Sequence, residues 1–391
     1  MTRTSDVLII GGGVIGCSAA LHLARRGLSV TLLEKDSVGM GATGRSSAII
    51  RQHYSNELTA RMALHSLRVF QAFDDAVGGD CGFVQSGCLW LTAAADRPGM
   101  ELNVALQRGV GIDTRLLSPE EVSELVPGLD SADLVAAAWE SESGYADPHL
   151  TVHGYVDAAR RCGATILMDH GATTVRMTGD RVEGVDTTAG RFDAPVVVDC
   201  AGPWGAGVAA MAGVEAPVAS CRVQIAIFRR PAGYEMTHPV VIDFVHGSYF
   251  RSETGGLTLV GSIDPSEADD VVDPDGYAEA VEPGFIAEVG EAFVRRVPPM
   301  ERSLSTGGYA GLYAVTPDWH PVIDEVPRGS GFFLCTGFSG HGFKLAPAVA
   351  EMLADLVTKE PDPRFPADLF RLTRFPEGKP VRGRYAYSIT G

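Results

Sequence analysis

Residues 6–35, "DVLIIGGGVIGCSAALHLARRGLSVTLLEK", decide how the rest of the chain is read. Asp6–Ile10 is an apolar run of strand length, and three consecutive glycines stop it. Over Ser18–Arg25, Ala20, Leu21, Leu23 and Ala24 share one helical face, and Gly27 closes the helix. Ser29–Leu33 is a second apolar strand, ending in Glu34. Gly11, Gly13 and Gly16 thus form G-x-G-x-x-G between a strand and a helix. The first permits the tight turn, the second admits a pyrophosphate against the backbone, and the third brings helix close to strand. Val14 and Ile15, between the second and third glycines, are read as further cofactor contacts, and the helix start donates amides to phosphate. Glu34, followed by Lys35, stands where a carboxylate binds ribose hydroxyls. The unit predicts an α/β chain with a dinucleotide site. The same N-terminus has an arginine, an apolar run and "VIGC", the parts of a lipoprotein leader. Asp6 and the glycines break the helix such a leader needs.

At 391 residues the chain is long enough for two domains. Its 45% hydrophobic and 21% charged content is that of a globular enzyme. A formal charge of −17 repels nucleic acid and anionic membranes, so neither is an expected partner. Seven scattered cysteines without a C-x-x-C pair point to reduced thiols in a cytoplasm and to no metal site. No apolar run approaches the roughly 18–20 residues of a membrane helix.

Further along, residues 55–78 read as one long amphipathic helix. Ser118 and Glu121 form a capping box, and Asp147, Pro148 and Gly163 frame another helix. Short strands fill 165–200, and β-rich sequence runs from Val218 to Leu259. A helix over Phe285–Val297 precedes a strand near Tyr309–Tyr313, and the tail after Lys359 is expected to drape over the surface. Three separated returns of nucleotide-domain pattern predict two interleaved domains. Residues 1–80, 150–215 and 315–375 form the nucleotide domain, 81–149 and 216–314 a substrate domain, and 376–391 a C-terminal tail. "CTGFSGHGFKLAPAVAEML" (residues 335–353) places Lys344, one of only four lysines, in the first turn of a helix. A cation there is unfavourable by about 0.3–1 kcal/mol.

Several separated motifs resemble the D-amino-acid-oxidase and sarcosine-oxidase family of flavoproteins, closest to sarcosine oxidase. "GMGATGRSSAIIR" (39–51) is similar to the family's second FAD segment, which implies cofactor contacts from Ala42, Thr43, Gly44, Arg45, Ser46 and Ser47. "VVVDCAGPW" (196–204) is similar to its third, with Ala201, Gly202 and Trp204 beside the nucleotide. Val175 is carried over as a further FAD contact. "GLYAVTPDWHPVID" (311–324) and "GFSGHGFK" (337–344) resemble its flavin-ring and substrate segments, which assigns Gly311, Gly340, Gly342, Phe343 and Lys344 to the cofactor. The resemblance implies a Rossmann-type FAD domain interleaved with a β-sheet substrate domain. It further implies oxidation of the C–N bond of a sarcosine-like secondary α-amino acid by hydride transfer to flavin N5, giving an imine that hydrolyses. Arg51 and Lys344 then grip the substrate carboxylate, and Tyr313 walls the pocket where glycine and D-amino-acid oxidases carry an arginine. His341 either acts electrostatically there or is structural; His53 and His320 are read as structural.

Two departures matter. Gly311 stands where monomeric sarcosine oxidases attach flavin through cysteine, so non-covalent FAD is expected. Thr258 and Ser262 stand where the family's oxygen-activating lysine and a following histidine are expected, and no lysine occurs between residues 36 and 343. Arg251 or His341 then substitutes, or electrons pass to an acceptor other than oxygen. The alternatives are a glycine or D-amino-acid oxidase or dehydrogenase, and a flavin-bearing subunit of a hetero-oligomer. A homo-oligomer is equally compatible.

Overall fold

The unit at residues 6–35 forms as strand Val7–Ile10, helix Val14–Arg25 and strand Val30–Leu33. It does so in a computed structural model that describes residues 3–234, 237–360 and 362–384. The helix begins at Val14 rather than Ser18 because Gly16 belongs to its first turn. A Cβ there would stand 2.0 Å from the Gly11 carbonyl oxygen, so only glycine lets the helix start this close to the strand.

Six strands make the first sheet, in the order Val322–Glu325, Phe332–Thr336, Val196–Asp199, Val7–Ile10, Val30–Leu33 and Thr165–Leu167. All neighbours are parallel except the first pair. Three of these pairings join strands 134 to 189 residues apart in sequence, which is why strand pattern returns along the chain. Val7 and Ile9 pack with the helices Val14–Arg25, Pro148–Arg161 and Gly342–Thr358. Leu8 and Ile10 face the other way, toward Val175, Val185 and Phe192 of a four-stranded sheet. Covered on both faces, Val7–Ile10 is apolar at every position.

The second sheet has eight strands, in the order Leu304–Val315, Ala219–Arg229, Leu257–Ser262, Ser248–Glu253, Val240–Asp243, Cys88–Thr92, Ala136–Glu140 and Thr114–Leu117. Its pleat sorts residues by parity. Leu89, Leu91, Val241 and Phe250 pack with Phe285, Val289 and Phe293 of the helix Pro283–Arg296. Trp90, Ile242, Tyr249 and Tyr313 line a cavity instead.

Two expectations change. The helix read over 55–78 breaks at Ala72 into Glu57–Gln71 and Phe73–Ala76. The break lets Phe73 pack its ring against both Phe70 and Tyr155. The tail does not merely drape: Phe370 and Arg374 are buried, and Arg374 Nε donates to Asp318 Oδ2 at 2.8 Å with both side chains 1% exposed. Residues 385–391 of the expected tail lie outside the described residues.

Burial opposes ionisation of Asp318, but the Arg374 hydrogen bonds and charge outweigh it and hold its carboxyl below the ordinary value of 3.8. The pair's stabilisation is therefore present above that value and lost as the pH falls through the lowered one. Arg374→Met leaves a buried carboxylate without its partner and is expected to cost about 3–5 kcal/mol in urea denaturation at neutral pH. A loss below about 1 kcal/mol would contradict the pairing.

Candidate active site

A cavity of about 1270 Å³ is lined from both sheets. Among its lining residues are Gly11, Gly13, Val14, Ile15, Glu34, Lys35, Ala42, Thr43, Arg45, Ser46, Ser47, Ala201, Gly202 and Trp204. Gly311, Tyr313, Gly340, His341, Gly342, Phe343, Lys344 and Arg51 line it as well. Three expected cofactor residues do not. Gly16 packs helix against turn, Gly44 sits so near the Gly39 carbonyl that a Cβ would be 2.5 Å away, and Val175 lies in the apolar core.

Among the helices that start on the cavity wall are those capped by Gly13 and His341; neither cap residue offers a side-chain bond, and neither helix has an acidic residue in its first turn. Such starts present amide donors and partial positive charge to anions. Glu34 Oε2 accepts from the Gly12 amide at 2.6 Å, which holds a carboxylate beside the glycine turn. A long cavity walled by the glycine turn, a second helix start and this carboxylate has the donors and acceptors that would hold FAD.

Lys344 is 6% exposed, and Arg51 is equally buried. Among the described residues the Lys344 ammonium has one hydrogen bond, to the Gly340 carbonyl at 3.3 Å, and no carboxylate within ion-pair distance. Burial, and then the charge of Arg51, push its pKa well below the usual lysine range. Lys35 and Arg45, the other cations on the wall, are already paired with Asp275 and Glu279. Arg51 donates to the His53 carbonyl at 2.7 Å and lies over the rings of Tyr54 and Trp90, at 4.6 and 5.1 Å.

Tyr313 is packed across Gly340, where φ is +81° and a Cβ would stand 2.8 Å from the ring; glycine is required on both counts. Burial first, then Tyr249 and Glu267, push the Tyr313 hydroxyl well above its ordinary range, so it stays a neutral donor. His341 lies edge-on to Tyr54 at 5.6 Å, with its ring 6.4 Å from His320. His320 bonds Asp318 and Asn56, and His53 stacks on Trp90 at 4.5 Å.

Thr258 faces away from the cavity, bonded to Arg230 and His238, whereas Ser262 lines it. Arg251 is off the cavity wall, paired with Glu253 at 2.8 Å and donating to the Ser47 carbonyl. Sequence reading missed Trp90, Tyr249 and Glu267. The first two were available from strand alternation once the sheet's buried face was known; Glu267 lies in a five-residue 3-10 helix, Pro265–Asp269, too short to show a period.

A family model described as DAO, FAD dependent oxidoreductase, matches residues 6–356. The chain is 28% identical over 364 residues to the mitochondrial sarcosine dehydrogenase of Homo sapiens, covering 90% of this chain and 40% of that protein. It thus spans about 40% of the length of the mitochondrial sarcosine dehydrogenases it matches. To sarcosine oxidase subunit beta of Rhodobacter capsulatus it is 27% identical over 381 residues, covering 96% of this chain and 89% of that one. The crystal structure of L-proline dehydrogenase from P. horikoshii superposes with a TM-score of 0.89 and 30% identity, over 97% of this chain and 100% of that one.

A buried lysine whose pKa is lowered gives up its proton easily, and an arriving anion restores the charged form. Carboxylate binding above that lowered value is therefore expected to take up a proton. Calorimetry in two buffers of different ionisation heat measures this, and Lys344→Met should abolish it. Equal heats for the unaltered protein in both buffers would contradict the assignment.

Proposed function

Since the chain belongs to the DAO family of FAD-dependent oxidoreductases, we propose that it oxidises the C–N bond of a secondary α-amino acid, N-alkyl or cyclic. One observation carries this reading: two buried cations from distant segments, Arg51 and Lys344, line the same cavity, and Lys344 has no carboxylate partner among the described residues. FAD, when bound, supplies the hydride acceptor. The chain supplies the rest. Arg51 and Lys344 hold the substrate carboxylate, and each charge-assisted contact is worth about 1.5–3 kcal/mol. Tyr313 and Trp90 wall the α-carbon and keep water from it, and His341 adds to the local field. Residues 1–80, 150–215 and 315–375 then form the discontinuous domain that holds the cofactor. Residues 81–149 and 216–314 shape the substrate pocket, with 376–391 as a tail.

Likeness to sarcosine and proline dehydrogenases supports a secondary amine over a primary one. Tyr313, in place of an arginine, favours the same choice. Likeness to a subunit named beta supports a second arrangement, in which this chain is the flavin-bearing member of a hetero-oligomer. Among the described residues no helix is long and apolar enough to cross a membrane. The seven cysteines are free, six of them buried, as suits the cytoplasmic placement we adopt.

Anaerobic screening of the FAD-loaded protein against secondary and primary amino acids tests the reading. Flavin bleaching by N-methylglycine or L-proline, and none by glycine or D-alanine, is the expected outcome; the reverse pattern would sink it. Arg51→Ala and Lys344→Ala should each weaken carboxylate inhibitors by about 10- to 100-fold. Unchanged affinity in both variants would remove the site. With Arg251 ion-paired away from the cavity, reoxidation by oxygen should be slow beside that by an artificial dye. Stopped-flow mixing of reduced protein with oxygen measures this, and fast reoxidation would contradict it.

A further inference from the structure

Most acidic side chains on the cavity wall are accounted for. Glu34 accepts from the backbone amides of Gly12 and Asp36, while Asp275 pairs with Lys35 and Glu279 with Arg45. Asp36 is exposed beside Glu34. Glu267 is different. It lines the same cavity, half-buried in the segment Pro265–Asp269, and among the described residues no hydrogen bond or ion pair reaches its carboxylate. Arg222, the cation whose charge favours its ionised form, is itself paired with Glu282 and Asp270.

Burial, and then Glu288, Asp264 and Asp270, push the Glu267 carboxyl up to about 7. Those three acids are exposed and do not line the cavity, so Glu267 alone of the group faces a ligand. A carboxylate kept partly out of water with no partner is costly to the fold, and such groups mark sites where a partner arrives. Glu267 lines the same cavity as Tyr313, Arg51 and Lys344. Tyr313 in turn packs on Gly340, whose carbonyl accepts from Lys344. The cavity is thus lined by two buried cations, an aromatic hydroxyl and Glu267, a half-buried carboxylate without a hydrogen-bond or ion-pair partner among the described residues.

We propose that Glu267 is the counter-charge for the substrate's ammonium group, so that the cavity selects zwitterions over simple acids. The proposal rests on the amino-acid reading of the cavity. It makes Glu267 a specificity-determining residue: Arg51 and Lys344 recognise any carboxylate, whereas Glu267 rewards only one that carries a positive nitrogen.

The test uses FAD-loaded protein, unaltered and Glu267→Gln, with matched ligand pairs in which an ether oxygen replaces the amine. N-methylglycine is set against methoxyacetate, and L-proline against tetrahydrofuran-2-carboxylate. Half-saturation of anaerobic flavin reduction reads the amino acids, and perturbation of the flavin spectrum reads the ethers. Glu267→Gln should weaken the amino acid about tenfold and leave its ether analogue unchanged. In the unaltered protein the preference for amino acid over ether should grow as the pH rises through about 7, where Glu267 ionises. In the variant it should be flat. Taking the ratio removes the contributions of Lys344 and Arg51, which both ligands share. Equal loss for both ligands, or a preference independent of pH in the unaltered protein, would overturn the role of Glu267. Failure of the unaltered protein to bind any of the four compounds would instead remove the amino-acid reading beneath it.

Discussion

Two basic side chains held out of water in one cavity are the constraint around which this molecule is arranged. Lys344 meets only the Gly340 carbonyl among the described residues, and Arg51 is stacked between Tyr54 and Trp90. Burial, and then the charge of Arg51, favour the neutral amine of Lys344 while no anion is present. Here a helix start sits under it as well, adding to the positive potential. The arrangement makes sense when an anion completes it. A substrate carboxylate converts the three unfavourable contributions, desolvation, like charge and helix dipole, into favourable ones at once.

The two sheets exist in this form to bring those charges together. Arg51 follows the short strand Ile49–Ile50, which pairs with Gly144–Tyr145, while Lys344 belongs to a helix packed on the six-stranded sheet. The eight-stranded sheet closes the cavity between them, and its pleat decides the lining. Every second residue on Cys88–Thr92 and Val240–Asp243 goes to the helix Pro283–Arg296, which leaves Trp90 and Ile242 for the ligand side. The segment leading from Asp264 to Glu282 ties the mouth. Asp275 reaches Lys35 and Trp204, and Tyr277 and Glu279 reach Arg45. Lys35, Arg45 and Trp204, expected to serve only the cofactor, thus also tie the two halves of the chain together.

How much of this was legible in the sequence follows from how local each signal is. The glycine turn, Glu34, the capping box at Ser118 and the Asp147–Pro148 helix start are governed by neighbours a few residues away, and the structure has them where the pattern put them. The helix start at Val14 was misplaced because Gly16 reads as turn until its contact with Gly11 is seen. The break at Ala72 and the anchoring of Arg374 on Asp318 depend on partners more than 50 residues distant, which no period encodes. The cations at Arg51 and Lys344 were found through family motifs rather than through spacing. Glu267 was not found at all, because a single 3-10 turn offers no period and its significance lies in the partner it lacks among the described residues.

The account stands on Arg51 and Lys344 acting on one and the same carboxylate. A double-mutant cycle measures this directly: affinity of the FAD-loaded protein for methoxyacetate, with Arg51→Met, Lys344→Met and the pair. If both cations hold one ligand, the two losses are coupled, and the double variant departs from additivity by about 0.5–3 kcal/mol. Losses that simply add would mean that the two charges serve different ligands, and the shared clamp would be wrong.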